Sequence, residues 1–489
     1  MLMNKRLGFA LLTVGVLLIS ISLIVDVIGL GKKGIQAAQI SGILAGIFLA
    51  LVGWGLRSLP ENEKPWRQIF VEKVDAFLNL PVIAWVLMGF LIIFLMYLVR
   101  PMFFDPNRKF SYFVNYLPAL DPIGNDLNYN TRAITLLLQG KSPYELGYHF
   151  YPPLYHIVFA PMLLFNAQQK FLLMTGLTLL SFGLLFFLLW RKKGNSHGVF
   201  VFFFLTGLFS YGMQFELERG QFNVLTLLLV ITGIWIYHNF PSFRLLAYVL
   251  WIIATHIKLY PAVFLLMFFS YWKNHKENFT TLVQLGILNI AAFLILGYKI
   301  FLQFVNAVIT ESRNPLWILP DKQPVNHSIS AFIDKLAKNN DRELPAKLAE
   351  WLSVSRSWVG VILLVVIVLC SVIIIWRTLQ NRPNLLHADA LMLLILLCFL
   401  LPSTSMDYKL VLLAPGLAVV LANRTLPELR WQKVLFIGLT ILISAVYSLT
   451  LVPYHYRSGL LLTAFPMLFT MLLCLTGLNL LNKTWDDVL

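Results

Sequence analysis

Long apolar runs separated by short polar connections fill most of the chain. The runs lack the apolar–polar alternation of strands and reach about twenty residues, the length at which an α-helix crosses a bilayer. Helices satisfy their backbone hydrogen bonds internally, as lipid requires. We therefore predict an all-α integral membrane protein with about fourteen transmembrane helices. The candidate spans lie near 8–30, 36–56, 80–100, 168–190, 198–216, 221–239, 244–259, 261–272, 278–301, 358–377, 388–402, 408–423, 433–451 and 459–481.

Composition and charge narrow the class of protein. Of 489 residues, 58% are hydrophobic and 12% are charged, whereas ordinary globular domains carry about 25% charged residues. The formal net charge of +15 comes from positive residues in short loops between apolar runs. That arrangement is typical of topology determinants and of contacts with anionic lipids, so we expect membrane lipids and no nucleic acid as partners. The three cysteines lie inside apolar runs and offer neither a disulfide framework nor a metal site.

The basic loops predict an orientation. The run 152–165, about fourteen residues long, is either a short span or a helix at the membrane interface. If it does not cross, the basic loops fall on the cytoplasmic side, as the positive-inside rule requires. If it crosses, the basic loops 191–193 and 273–276 move outside. We favour a multi-pass protein of the plasma (inner) membrane with both termini cytoplasmic, which only the loop 31–34 mildly contradicts.

This orientation gathers the polar segments on the outer face, where we expect an active site on the extracytoplasmic side. The segments are 101–151, 216–223, 256–261, 302–357 and 403–409. An amphipathic helix over about 328–352 is expected to cover the outer mouth.

The chain divides into two predicted parts. Residues 1–79 form an additional N-terminal hairpin with a cytoplasmic linker. Residues 80–489 form a catalytic membrane domain with outer loops 101–152 and 302–357.

Asp126 is the leading candidate for acid–base chemistry. A carboxylate at the membrane edge can act as a general base and remove the proton from an acceptor hydroxyl. Asp is also a good N-cap, so the alternative is that Asp126 caps a helix beginning near Leu127; the two roles are compatible. Asp121 precedes a proline, which favours a turn, and is the second candidate acid.

Two cations are candidates for binding a phosphate. Lys258 lies in an apolar context before Pro261, which should break the helix and direct the lysine into a cavity; snorkelling to the interface is the alternative. Arg219 either binds phosphate with its planar fork or pairs with Glu216 or Glu218 as an interfacial anchor.

The remaining candidates are less specific. His327 could donate a hydrogen bond to a phosphate or act as an acid, and the alternative is a solvated loop histidine. Lys409 either joins the phosphate site or neutralises Asp407 at a helix start. We expect His149 and His455 to be exposed loop residues. Further predicted pocket residues are Tyr129, Tyr144, Tyr151, Gln221, Asn223, His256, Tyr260, Asn326, Asp407 and Tyr408.

Several familiar catalytic motifs do not occur in the sequence. It has no Walker loop, dinucleotide-binding glycine motif, zinc-protease motif or serine-hydrolase elbow. The cytoplasmic loops are too short to bind a nucleotide-sugar, so a donor on a lipid carrier fits better. We expect no cofactor. Acids near Asp126 leave a divalent metal open, although no ligand set has convincing spacing.

An ordered set of short motifs resembles glycosyltransferase family 87, polyprenyl-phosphate-sugar-dependent mannosyltransferases of the GT-C class. The similarity spans about residues 80–425 and implies a GT-C-like helical bundle with large outer loops. The motifs are Asp126-x-x-Tyr129, Ala133, Gly140, Pro143-Tyr144, Tyr151-Pro-Pro153, Gly220-Gln-x-Asn223, Lys258-x-Tyr-Pro261 and Asn326-x-Ser328.

The resemblance implies roles for single residues. Asp126 would be the catalytic base, and Lys258 with the 219–223 edge would hold the lipid phosphate; His327 is a looser carry-over. The segment 403–408 departs from the family pattern, since Met406 stands where Trp is usual and Tyr408 where His is. That departure puts the acceptor pocket and the sugar identity in doubt.

Together these features predict an inverting membrane glycosyltransferase. It would move one sugar, expected to be mannose, from a polyprenyl-phosphate donor to a hydroxyl of a lipid or glycan acceptor. A flippase or transporter of lipid-linked glycans is one alternative, but matching halves are not visible in the sequence. A glycan polymerase or ligase is another, and it would more typically use arginine-rich outer loops.

Overall fold

The computed structural model describes residues 12–14, 16–17, 76–77, 79–94, 124–146, 149–191, 197–269, 274–312, 326–338, 358, 360–375, 388–402, 405–422, 430–443 and 465–482. The described chain consists of helices and turns without a β-strand, and Asn326 and Met406 form an isolated antiparallel bridge. The predicted all-α class is confirmed for this part of the protein.

Sixteen α-helices follow one another along the described part of the chain. In order, α1 to α16 are Val82–Phe94, Asn125–Leu138, Pro153–Phe159, Ala167–Trp190, His197–Leu208, Tyr211–Arg219, Asn223–Asn239, Arg244–Ile257, His275–Leu294, Tyr298–Ser312, Ile329–Lys338, Gly360–Ile375, Ala388–Leu400, Leu413–Ala422, Arg430–Ile443 and Phe465–Asn482. Short 3₁₀-helices occupy Pro143–Leu146, Ala160–Leu164, Pro241–Phe243, Tyr260–Phe268 and Asp407–Leu412.

The chain divides into two compact units. One comprises Met1–Leu80 with Asp341–Glu343 and Val452–Phe465, and most of it lies outside the described residues, as do the predicted spans 8–30 and 36–56 almost entirely. The other comprises Pro81–Asn340, Leu344–Leu451 and Pro466–Leu489 and holds every described candidate residue.

Two described helices, α4 and α9, are long and apolar enough to cross a membrane. Helices α5 and α6 would supply a third span if they are counted together, although they meet at a bend of 48°. The total of about fourteen spans stays a prediction.

Several predicted spans are broken helices. Residues 198–216 form α5 and α6 because Ser210 ends one helix and caps the next, accepting from the Met213 backbone N–H at 3.2 Å. Residues 261–272 are largely the 3₁₀-helix Tyr260–Phe268. The predicted amphipathic helix near 328–352 begins as α11, and its remainder lies outside the described residues.

The start of α2 is held against the end of α6 by backbone contact. The Gly124 N–H donates to the Glu218 carbonyl at 2.7 Å. Gly220 has φ +64, and a Cβ on it would stand 2.8 Å from the Leu127 Cβ. Only glycine therefore fits this turn without strain or collision.

Aromatic stacking positions the turn before α3 next to the same junction. The ring centroids of Tyr151 and Tyr155 lie 4.4 Å apart, those of Tyr155 and Phe159 4.6 Å, and those of Phe159 and Phe222 5.0 Å. Phe222 and Tyr155 are fully buried. Because this stack joins α3 to the turn before α7, the side chains that project from both elements meet in one place.

Candidate functional site

Asp126 lies in the first turn of α2 but does not cap it. Gly124, in the left-handed conformation, is the N-cap, and no side chain caps the helix. The alternative that Asp126 caps a helix from Leu127 is wrong, because the helix begins at Asn125 and the Asp126 carboxylate contacts Gln221 and Arg219. Its position still benefits from the positive end of the helix dipole.

Gln221 joins Asp126 to Lys258. Its amide nitrogen donates to Asp126 Oδ2 at 2.6 Å, and its amide oxygen accepts from Lys258 Nζ at 2.7 Å. Gln221 is buried, whereas the Asp126 side chain keeps 32% of its surface exposed. The predicted acid and cation therefore lie in one cluster, separated by a neutral amide.

Lys258 follows the last residue of α8 in an extended conformation, with φ −144° and ψ 136°. The break before Pro261 is confirmed, since the chain continues as the 3₁₀-helix Tyr260–Phe268. Lys258 Nζ donates to the Tyr151 hydroxyl at 3.0 Å. It also lies 4.7 Å from the centroid of Phe222, 5.1 Å from that of Tyr151 and 5.4 Å from that of Tyr408. These rings stabilise the ammonium by cation–π attraction.

Arg219 occupies the other side of Asp126. Its Nε lies 3.1 Å from Glu218 Oε2, its Nη1 lies 3.6 Å from Asp126 Oδ1, and its guanidinium carbon lies 5.0 Å over the Phe215 ring. Glu218 is one of the two acids that the sequence suggested as partners of Arg219. Arg219 thus adds a second positive charge beside the candidate base.

Glu216 is a residue that sequence reasoning did not assign to the site. Its fully buried carboxylate accepts from the Asn223 backbone N–H, from Asn223 Nδ2 at 2.6 Å and from the Val224 N–H at 3.2 Å. It therefore satisfies the start of α7, where backbone donors have no helical partner. Tyr260 donates to Asn223 Oδ1 at 3.0 Å and extends this network.

A second buried network surrounds Asp407. Its Oδ1 lies 2.5 Å from His327 Nε2 and its Oδ2 accepts from the Tyr211 hydroxyl at 2.8 Å. Asn326 Oδ1 accepts from the Ser405 N–H at 2.8 Å, which fixes the two segments together. His327 and Asp407 are buried, so the solvated-loop reading of His327 is wrong.

Lys409 is directed into the fold. Its Nζ donates to the Cys398 carbonyl at 3.3 Å and lies 4.7 Å from the Tyr260 ring centroid. Its ammonium is thus held on a neighbouring helix rather than beside Asp126.

Three predicted pocket residues have partners elsewhere. Tyr129 donates to the Leu146 carbonyl, and Tyr144 donates to the Tyr151 carbonyl at 3.0 Å. His256 Nε2 lies 3.3 Å from Asn289 Oδ1, on α9. Asp121 and His455 lie outside the described residues.

His149 is fully buried, so its expected exposure is wrong. The rings of Tyr144, Tyr151 and Tyr155 cover it, with centroids 5.3–5.8 Å away. Its Nδ1 lies 3.1 Å from Asn130 Oδ1 and its Nε2 lies 2.9 Å from His156 Nε2.

The described part of the chain contains no group of three or more His, Cys, Asp or Glu side chains that could hold a metal ion.

Comparison with known protein families finds a match. A model of glycosyltransferase family 87 matches residues 148–404, more than half of the chain. Gln221, Lys258 and Arg219 lie inside the match, whereas Asp126 precedes it and joins the cluster through its contacts. No curated protein is similar enough to the chain to count as a match. The chain, as a member of glycosyltransferase family 87, belongs to a family of membrane sugar-transferring enzymes.

Proposed function

We propose that this glycosyltransferase takes a single hexose, mannose in the first instance, from a polyprenyl-phosphate donor and transfers it to an acceptor hydroxyl with inversion. The observation that carries the proposal is the Asp126–Gln221–Lys258 cluster, in which one amide holds a carboxylate and an ammonium at 2.6 and 2.7 Å. Mannose, the lipid carrier and the extracytoplasmic side come from the family resemblance and from the distribution of basic loops.

The cations of the cluster suit the phosphate of the donor. Lys258 projects from an extended turn among three aromatic rings, and Arg219 lies on the far side of Asp126. Guanidinium and ammonium groups recognise phosphate oxygens by charge-assisted hydrogen bonds. They also stabilise the negative charge that develops on the phosphate as the sugar leaves.

Asp126 suits the acceptor. Its carboxylate is partly exposed while its two oxygens face Gln221 and Arg219. We assign Asp126 as the general base, which takes the proton of the acceptor hydroxyl as that oxygen attacks the anomeric carbon. The bond from the anomeric carbon to the phosphate oxygen breaks with its electron pair on the polyprenyl phosphate. One displacement inverts the anomeric centre.

The test uses purified protein with labelled polyprenyl-phosphate mannose and a mixed acceptor extract. We expect a new labelled glycoside in the wild type and a fall of about 10²–10⁴-fold in Asp126→Asn, the usual contribution of a general base. Glu145→Gln is the matched control, because Glu145 is an exposed acid on the neighbouring 3₁₀-helix that accepts from the Ser142 N–H at 3.2 Å.

Three results would contradict the proposal. Full transfer activity in Asp126→Asn would refute the assignment of Asp126 as the general base. Movement of label between leaflets without a new bond would indicate a transporter. Indifference to the monosaccharide donor, with use of preassembled oligosaccharide, would indicate a ligase.

A further inference from the structure

A row of polar side chains leads from Lys258 into the protein interior, and no step of the proposed transfer uses it. Lys258 Nζ donates to the Tyr151 hydroxyl at 3.0 Å. A hydrogen bond with the Asn130 side chain acts to lower the pKa of the same hydroxyl, against the rise caused by burial, and Asn130 Oδ1 lies 3.1 Å from His149 Nδ1. A continuous path therefore connects the cation of the donor site to a buried histidine.

The path ends at a second histidine. His149 Nε2 lies 2.9 Å from His156 Nε2, and His156 Nδ1 lies 3.1 Å from the Pro153 carbonyl oxygen. The two histidine residues are 0% and 1% exposed, so solvent water cannot reach a ring nitrogen that is poorly matched to its partner. Each nitrogen must therefore match its partner as a donor or an acceptor.

One order of hydrogens satisfies every link without a second charge. The Pro153 carbonyl only accepts, so His156 carries its hydrogen on Nδ1 and presents a lone pair on Nε2. A neutral His149 then donates from Nε2 and accepts at Nδ1. The Asn130 amide nitrogen donates to that Nδ1, and the amide oxygen accepts from the Tyr151 hydroxyl. The Tyr151 oxygen is left to accept from Lys258.

This order requires a half-turn of one amide. Asn130 Oδ1 faces His149 in the structure, and rotation about the last bond exchanges oxygen for nitrogen with little change in shape. If the oxygen stayed there, His149 would donate from Nδ1, and two lone pairs would face each other at 2.9 Å unless one ring were an imidazolium.

A buried imidazolium is disfavoured at this position. Burial lowers the pKa of His149 well below its ordinary value, and the charge of His156 would lower it further. The rings that cover His149 belong to Tyr144, Tyr151 and Tyr155, which carry no negative charge in their neutral form. The ammonium of Lys258, where this row of side chains begins, would repel a second cation.

We infer that Asn130, His149 and His156 form a neutral hydrogen-bond chain, running in one direction, that fixes the Tyr151 hydroxyl and through it positions Lys258 for the phosphate of the donor. Because all donors point from Lys258 toward Pro153, each bond polarises the next. The three are positioning residues, and their role toward the phosphate rests on the proposed function. The order of hydrogens does not.

The first experiment reads the hydrogens directly. We would label histidine with ¹⁵N in the full-length protein and assign His149 and His156 by their loss from His149→Phe and His156→Phe. Near neutral pH we expect His149 protonated on Nε2 alone and His156 on Nδ1 alone. An imidazolium signal from either ring, or His149 protonated on Nδ1, would overturn the chain.

The second experiment tests whether the chain acts through Lys258. Binding of a polyprenyl phosphate without sugar is titrated in the wild type, His149→Phe, Lys258→Met and the double variant. We expect His149→Phe to weaken binding about tenfold, the worth of one bond to a charged group, and less than about twofold where Lys258 is already methionine. Equal losses in both backgrounds would show a merely structural effect and refute the positioning role.

Two controls keep the outcomes distinct. His238→Phe removes another histidine bond, to the Met267 carbonyl at 2.8 Å, and should leave binding unchanged. If His149→Phe fails to fold, Asn130→Leu interrupts the same chain one link earlier.

Failure of the wild type to bind any polyprenyl phosphate would refute the proposed donor. The ¹⁵Nζ resonance of Lys258 would still report the chain, and its failure to shift in His149→Phe would overturn the positioning role.

Discussion

Replacing Gln221 by methionine tests whether the bridge between base and cation matters for transfer. Methionine is unbranched and of similar length, so it fills the buried position while removing both amide contacts. The backbone bond from the Gln221 N–H to the Glu216 carbonyl, 2.9 Å long, is untouched. The substitution should therefore leave the fold in place and change only what Asp126 and Lys258 meet.

The size of the effect follows from the contacts that remain. Asp126 keeps Arg219 at 3.6 Å, and Lys258 keeps the Tyr151 hydroxyl at 3.0 Å. Each end thus loses one bond to a charged group while a second partner holds it. Such a bond contributes about 1.5–3 kcal/mol, and about 1.4 kcal/mol is a tenfold change in rate. Because the remaining partner at each end compensates part of its loss, we take the net effect of the two lost bonds as that of one and expect kcat/KM to fall about tenfold to a hundredfold.

The assay is the transfer of labelled sugar at several donor concentrations, with thermal unfolding measured in parallel. Gln214→Met is the matched control, because Gln214 lies on α6 and its amide reaches only the exposed end of α5, at the Phe209 carbonyl, 3.4 Å away. A loss of less than about threefold in Gln221→Met, with an unchanged melting temperature, would refute the idea that the amide organises the site.

Three further substitutions probe the same region. Lys258→Met should raise the apparent KM for the donor about tenfold or more with a smaller change in kcat, in a donor titration; an unchanged KM would exclude phosphate binding. Glu216→Ala leaves the three donors at the start of α7 unpaired and should lower stability by about 3 kcal/mol or more, read from denaturant unfolding against the milder Glu216→Gln. Gly220→Ala should lower stability by about 1–3 kcal/mol, because its φ is +64 and its Cβ would meet Leu127 at 2.8 Å. Gly140→Ala is its control, since Gly140 has φ +75 but nothing within 4 Å of a Cβ; equal losses in both would deny the collision.

The helical class could be predicted from the sequence because apolar runs without alternation have one stable form in lipid. The breaks within those runs were harder to predict. Ser210 looks like a neutral residue in an apolar stretch, yet its hydroxyl caps α6 and bends the chain by 48°. A serine before a helix is a recognisable signal, but hydropathy averages over it.

The site could be predicted where a residue was costly in its local context. Lys258 and the acids near it stand out because a charge beside an apolar run needs a partner. His149 misled because its burial depends on the rings of Tyr144 and Tyr155, which the fold brings over it. Glu216 was missed as part of the site because its partner, Asn223, lies seven residues away across a turn that helical periodicity does not describe.

The segment 407–409 shows why neighbouring candidates do not share a site. It begins a 3₁₀-helix, Asp407–Leu412, in which successive side chains point about 120° apart. Asp407 accordingly bonds His327 and Tyr211, Tyr408 turns its ring to Lys258, and Lys409 reaches the Cys398 carbonyl. The Tyr408 ring, with its centroid 5.4 Å from Lys258 Nζ, borders the Asp126–Gln221–Lys258 cluster. The prediction placed Asp407 and Tyr408 in the substrate pocket and Lys409 among the phosphate-binding residues, whereas the 3₁₀ backbone directs the three side chains to three different sets of partners.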